Sequence, residues 1–498
     1  MNRQDWMGFP MTAVAVAVAV VAAAPALAQN TTSAVGGMVV GLDGKPIGGA
    51  AVTVVHTESR STASTVTDAG GRWVARGLRV GGPYTITVTK AGDTEKREGI
   101  YLALAETLSL DLLLGRSASV TVTGSRILAD RFSASNMGTT TAIGARDLAN
   151  LSSLTGNLQD FARIDPRISQ TDKERGEISA LGQNSRFNAV TIDGVNISDT
   201  FGLESNNLPT AKQPISSWAI QSVQINLSNY DVTQRGYTGA NINAVTKSGT
   251  NEFHGAVYGS YRDEAMAGAR YNRTNRTYSK PAPFTAEQKG FVLGGPIIQD
   301  KLFFFVGYEE SKSSIASIDF GPIGSAKTNV GISPALITSL TDVARNTYNF
   351  DLGSTEPPGA SNLIVKDALV KLDWSISDAQ RATLRFTRTK QDEPIFPNFG
   401  TRTLSLSTNW YTQAKSLDTV VAQVFSDWSP SFSTEVRASY RDYKSEPKNN
   451  ATLPQMAFDV DGSFGGSTAQ RTLFAGTERS RHFNKLFTKT VDGFLGGN

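Results

Sequence analysis

Residues 364–390 read IVKDALVKLDWSISDAQRATLRFTRTK. This stretch predicts two strands, about 364–375 and 381–390, joined by the short link Ile376 to Gln380. Successive side chains of a strand point to opposite faces. Ala368, Val370, Leu372 and Trp374 therefore share one face, and Lys371 and Asp373 lie on the other. Val436, Ala438 and Tyr440 alternate in the same way with Arg437, Ser439 and Arg441. A transmembrane barrel needs this period of two, apolar toward lipid and polar toward the lumen. A soluble sheet with one wet face alternates too, so the connections must decide. Working outward, candidate strands fall at about 253–262, 290–298, 302–311, 364–375, 381–390, 417–427, 434–443 and 482–491. The links 299–301, 376–380 and 428–433 are short, whereas 263–289, 312–363, 391–416 and 444–481 are long, and the two kinds alternate without exception. Membrane barrels have short turns at one end and long loops at the other. In compact soluble domains, structureless loops beyond roughly 12–15 residues are uncommon. The spacing predicts an antiparallel transmembrane β-barrel over 251–498.

The start of the chain fits that destination. Arg3 lies in a short polar opening, Ala13 to Ala24 is an Ala/Val run, and Ala26-Leu27-Ala28 precedes Gln29. This is the pattern of a secretory signal peptide over residues 1–28, cleaved between Ala28 and Gln29. No later segment is a long apolar run, so membrane insertion would be by strands. The 498 residues include no cysteine, which excludes disulfides, Cys-based zinc sites and thiol nucleophiles. His56, His254 and His482 are far apart and in no metallohydrolase pattern. No nucleophile and base converge in sequence, so the chain reads as neither an enzyme nor the holder of a cofactor. A net charge of +3, with both signs dispersed, argues against nucleic acid as a partner.

Between these ends lie two further units. Residues 29–115 carry the short runs Val52-Thr53-Val54-Val55, Trp73-Val74-Ala75 and Tyr84-Thr85-Ile86-Thr87-Val88, separated by Gly-rich turns, which suggests a β-sandwich. Residues 126–250 mix helix and strand. Leu148, Leu151, Leu154, Leu158 and Phe161 recur at helical spacing and stop before Pro166. Val190–Ile192 and Val195–Ile197 flank Asp193-Gly194, a hairpin signal. Ser222–Leu227 and Asn241–Val245 read as strands.

The strings GMVVGLDGKPIGGAAVTV, TDAGGRWVARGL and GGPYTITVTKAG resemble the carboxypeptidase regulatory-like domain, a non-catalytic β-sandwich. Further on, NLQDFARIDPRIS, FNAVTIDGVNISD, QSVQINLSNYDVTQRGYTGANINAVTKSGTNEFHGAVYGSYR and GGPIIQDKLFFFVGYEE occur in that order. They are similar to the plug and first barrel strands of TonB-dependent outer-membrane receptors of the Oar-like kind.

That resemblance implies a mainly β protein: sandwich, mixed α/β plug over 126–250, then about eight strands of an incomplete barrel. It also implies a TonB box in the linker 116–125, where Ser119-Val120-Thr121-Val122-Thr123 would add to a sheet edge of a periplasmic TonB-type protein. An ordinary strand has the same pattern. The other partners implied are outer-membrane lipid and an extracellular ligand. Arg270, Tyr271, Arg273, Arg276, Tyr278 and Lys280 in the first long loop suit an anionic or aromatic ligand, although a solvated or lipopolysaccharide-facing loop reads the same way. The alternative function is surface adhesion or protein export. The string stops at Gly493-Phe494-Leu495-Gly496-Gly497-Asn498, where a turn after an eighth strand is expected. Eight strands enclose only side chains, whereas a plugged transporter needs about 22, so the expectation is a fragment.

Overall fold

The computed structural model describes residues 31–115, 127–128 and 140–497, apart from 152, 154, 155, 174, 228–235, 316, 317, 358–360, 430, 431, 465, 466 and 481–483. The signal peptide with its Ala28/Gln29 cleavage point, and Ser119 to Thr123, lie outside the described residues.

Eight long strands form one antiparallel sheet in chain order. They are β1 (His254–Asp263), β2 (Thr285–Ile298), β3 (Leu302–Ser314), β4 (Asn362–Ser377), β5 (Gln380–Ile395), β6 (Tyr411–Ser429), β7 (Phe432–Asn449) and β8 (Leu486–Gly497). Among the described residues β1 and β8 are the two edges, so the barrel is not closed. The last strand differs from expectation. It starts later and runs through Gly493–Gly497, with Gly493 opposite Ala438 and Gly497 opposite Thr434. The glycines do not end it because the alternation continues across them: the Phe494 ring lies under the Arg437 guanidinium while Leu495 is exposed.

Burial decides what alternation in sequence left open. Val370 and Trp374 are 44% and 50% exposed, whereas Lys371 and Asp373 between them are 7% and 2% exposed. Leu384, Val424, Phe487, Val491 and Leu495 also point outward, and Arg385, Gln423, Arg437 and Ser439 point inward. A soluble sheet does the reverse. An exposed apolar face backed by a buried charged one is the pattern of a lipid-facing wall.

The inner unit (residues 140–246) sits against the polar face. Its sheet has the order Thr140–Gly144, Ile220–Asn226, Asn241–Thr246, Ala189–Ile192, Val195–Asn196. The leucine stripe divides into two short helices, Ala145–Asn150 and Leu158–Ala162, because the chain turns at Gly156 with φ +69°. Leu158, Phe161, Ile192, Ile225 and Ile242 form its core, and Val292, Phe305 and Leu369 of the wall join that same core.

Residues 33–114 form two packed sheets. Ser33–Gly41 pairs with Arg72–Leu78 and, in parallel, with Thr107–Ser109 and Leu112–Leu114. Opposite lie Thr62–Val66, Ala51–His56, Gly81–Lys90 and Asp93–Leu102. Val39, Val54, Ile86 and Ile100 fill the space between. This sandwich docks at the short-turn end of the wall: Gln423 Nε2 donates to Thr31 Oγ1 at 3.1 Å, and Arg381 donates to the Gly77 carbonyl.

Three of the long connections are folded rather than loose. Segment 315–361 contains the helix Pro334–Tyr348, capped by the Ser333 hydroxyl. Segment 450–485 contains the hairpin Met456–Phe464/Ser467–Ala475. Thr403–Ser405, from segment 396–410, adds to that hairpin in parallel. Val330, Ile332, Leu352, Leu404, Leu406 and Leu473 form one core from all three.

Candidate functional site

The face between the inner unit and the wall carries the chemistry. Asp193 and Gly194 form the predicted hairpin turn, with φ +46° and +73° in the left-handed region this turn type requires. The turn also brings the Asp193 carboxylate to the wall. Its Oδ1 accepts from the Thr246 N–H at 2.8 Å, and its Oδ2 accepts from Thr246 Oγ1 and from Arg385 Nη1, both at 2.8 Å. Burial alone would raise the Asp193 carboxyl; Arg385, Lys371 and the two Thr246 donors reverse this and hold it below its usual range. Lys371 and Arg385 are cross-strand neighbours, and Lys371 Nζ donates to the Thr246 carbonyl at 3.2 Å. Gly194 suits the φ of +73°, and a Cβ there would displace the end of the Arg437 side chain.

A second set of contacts stands nearer the long-loop end. Lys212 Nζ meets Glu309 Oε1 at 2.5 Å, and Ser216 Oγ and the Tyr258 hydroxyl donate to Glu309 Oε2 at 2.6 and 2.8 Å. The Trp218 and Tyr258 rings stack at 4.8 Å. Lys415 pairs with Glu204, the Ala211 N–H donates to Gln391 Oε1 at 2.8 Å, and the Tyr443 hydroxyl donates to the Pro209 carbonyl at 3.1 Å. Buried ion pairs of this kind add little net stability, but losing one partner is costly. The arrangement specifies one seating of the inner unit and makes partial displacement expensive.

At the other end the sandwich contributes His56. Its Nδ1 lies 2.9 Å from the Ser59 hydroxyl and accepts the Ser59 N–H at 3.2 Å. Burial, with Arg79 and Arg381 nearby, pushes the imidazole down to about 3. Arg79 Nη1 donates to the Gly249 carbonyl at 3.3 Å, which ties the sandwich to the segment that joins the inner unit to the wall.

The loop residues singled out in the sequence come together on a hairpin. Arg270–Asn272 pairs with Thr277–Ser279, placing Tyr271 directly opposite Tyr278 with ring centroids 5.0 Å apart. Arg273 and Arg276 occupy its turn and Lys280 follows it. The sequence offered no pairing for Asp193, Glu309 or Arg385. The available signal was charge on the inward parity of strands whose outward parity is apolar. Among the described residues no group of three or more His, Cys, Asp or Glu is placed to hold a metal ion.

Residues 34–115 match the family model of the carboxypeptidase regulatory-like domain, and residues 245–360 match that of the outer membrane beta barrel domain. Over 315 residues the chain is 27% identical to the TonB-dependent transporter Oar of Myxococcus xanthus. The chain is a homologue of that transporter. The alignment takes in 60% of this chain and 28% of the relative, so the chain spans under a third of that protein's length. Among solved structures, the outer membrane transporter YddB from Escherichia coli superimposes with a TM-score of 0.49 at 12% identity, covering 72% of this chain and 45% of that one. The siderophore receptor PirA from Acinetobacter baumannii gives 0.45 at 16% identity, with 72% and 45% covered. The chain thus combines an N-terminal sandwich, an ion-paired inner unit and a strand wall whose first part matches the outer membrane beta barrel domain.

Proposed function

We propose that this chain is the receptor-bearing, N-terminal part of an energised outer-membrane transporter. In this reading residues 126–250 are a plug, the long connections face the outside, and a ligand captured there is admitted when the plug is remodelled. The observation that carries the reading is the ion-paired seating of the inner unit on the charged face of a wall whose other face is apolar and exposed. A plug must be held specifically yet yield to force, and buried charge pairs give such an all-or-none grip. Force would come from a periplasmic TonB-type protein engaging Ser119–Thr123 by strand addition. Residues 1–28 would direct export and be cleaved after Ala28, so that the exported protein begins at Gln29.

The test is uptake or ligand response in cells with and without the energising protein, alongside Val122→Pro in the full-length receptor. Proline removes an N–H and is not tolerated within an added strand. Loss of function in both supports the reading; indifference to both removes it. The second reading is surface adhesion or protein export. The observation favouring it is the cap of three connections with its own core, a surface suited to a macromolecule. Function that survives deletion of the energising protein would select it.

A further inference from the structure

Residues 268–280 are exposed without a break, yet they form an ordered hairpin. An isolated two-stranded hairpin is marginal in water, and none of residues 268–280 belongs to the core of the inner unit or of the three-loop cap. Its face carries Tyr271 and Tyr278, 50% and 73% exposed, as a cross-strand pair. From Ala267 to Ala286 there are four cations, Arg270, Arg273, Arg276 and Lys280, and no carboxylate. Arg273, Arg276 and Lys280 have no ion-pair partner among the described residues, and Asn272 Oδ1 fixes the turn between the two arginines by accepting the Thr274 N–H at 2.9 Å. The shape is convex, whereas small-molecule sites are concave.

The hairpin rises from β1, whose outward side chains include the exposed Val257 and Tyr261. Those residues belong to the lipid-facing side of the wall, and an aromatic ring at a strand end marks the membrane interface. What stands beside such a strand is the headgroup layer of the surrounding lipid. Tyrosine faces suit the C–H faces of sugar rings, and unpaired guanidinium and ammonium groups suit phosphate.

We infer that the 270–280 hairpin docks onto the phosphorylated saccharide of the outer-leaflet glycolipid surrounding the barrel. The inference rests on the proposal that the long connections face outward. The hairpin thereby anchors the rim of the receptor rather than holding its transported ligand.

The test uses the full chain reconstituted in phosphatidylcholine vesicles with rough lipopolysaccharide, with the same lipopolysaccharide dephosphorylated, or with inorganic phosphate in solution. Amide exchange of residues 270–279 is followed as lipopolysaccharide is titrated. Protection is expected only with the phosphorylated glycolipid. In the triple variant Arg273→Gln/Arg276→Asn/Lys280→Gln the half-protecting mole fraction should rise about a hundredfold, at roughly fivefold per cation. Tyr271→Ser should weaken protection without changing its phosphate dependence. Equal exchange in all three membranes, protection by free phosphate alone, or an unaffected triple variant overturns the inference. Because the chain has no cysteine, Asn275→Cys gives a unique label. Failure of an impermeant maleimide to reach it on intact cells would overturn the orientation instead, so the two failures are distinguishable.

Discussion

Replacing Asp193 by asparagine isolates the charge that seats the inner unit. The Asp193–Arg385 contact is 2.8 Å, between side chains 6% and 3% exposed. At an effective dielectric of about 20 its gross attraction is roughly 6 kcal/mol, most of it offset by desolvation of both ions. What the variant leaves behind matters more: a buried guanidinium without its counter-ion, worth about 3–5 kcal/mol when a partner is removed. Asparagine tolerates the left-handed φ of +46° and still accepts the Thr246 N–H, so the loss should sit near the lower end, about 3 kcal/mol. Arg385→Met should cost less, because Asp193 keeps Lys371 and both Thr246 donors. The double variant should recover about 2 kcal/mol of the summed losses. The assay is urea-dependent amide exchange of Ile220–Asn226, the inner strand beside Asn241–Thr246. With a slope of about 2 kcal/mol/M, Asp193→Asn should lower the midpoint by about 1.5 M. If the two single effects add to within about 0.5 kcal/mol, the pair does not act as a unit in seating the inner unit.

Other perturbations test the same structure. Gly194→Ala meets both a positive φ and Arg437 Nη1; it should lower the same urea midpoint by at least half as much as Asp193→Asn and leave barrel assembly intact. The His56 pKa is depressed from 6.5 to about 3, so the unfolded chain binds more protons across that window. Sandwich stability should therefore be complete above pH 6.5 and fall as pH drops toward 3, by on the order of 5 kcal/mol; in thermal melts His56→Gln should flatten this dependence, and an unchanged acid slope would count against the assignment. Val370→Arg places charge on the exposed face of β4 and should cost about 2–4 kcal/mol if that residue meets lipid near mid-membrane. Heat-modifiability of the membrane-inserted protein measures it, and a tolerated arginine would contradict the lipid-facing assignment.

The wall was legible because its signal is local and repeated. Period-two runs such as Ala368–Trp374, and the strict alternation of link lengths, put every long strand near its true place. Strand ends were underestimated by several residues, since polar positions such as Thr285–Lys289 and Tyr411–Ser416 lie beyond the apolar stretch yet pair in full register. The charged strand Asp93–Leu102 carries a weak signal for a related reason: in DTEKREGIYL only Thr94 and Ile100 are β-branched, and charged residues fill most of its first half. The seating contacts were not legible. Asp193 and Arg385 are separated by 192 positions, and only the closing of the inner unit onto the wall makes them neighbours. Nor did the connections reveal their cap, because Leu404, Leu352 and Leu473 come from three segments whose apolar residues meet only once the connections fold onto one another.

The shared core of the three connections bears on how this surface can change over generations. A leucine altered in one segment must be accommodated by residues in the other two, so the cap is inherited as a block and drifts slowly, through matched substitutions. The hairpin on the first connection has no such ties. It can be exchanged or lengthened at little structural risk, and divergence among descendants should gather there, held back only at the cations that meet the glycolipid.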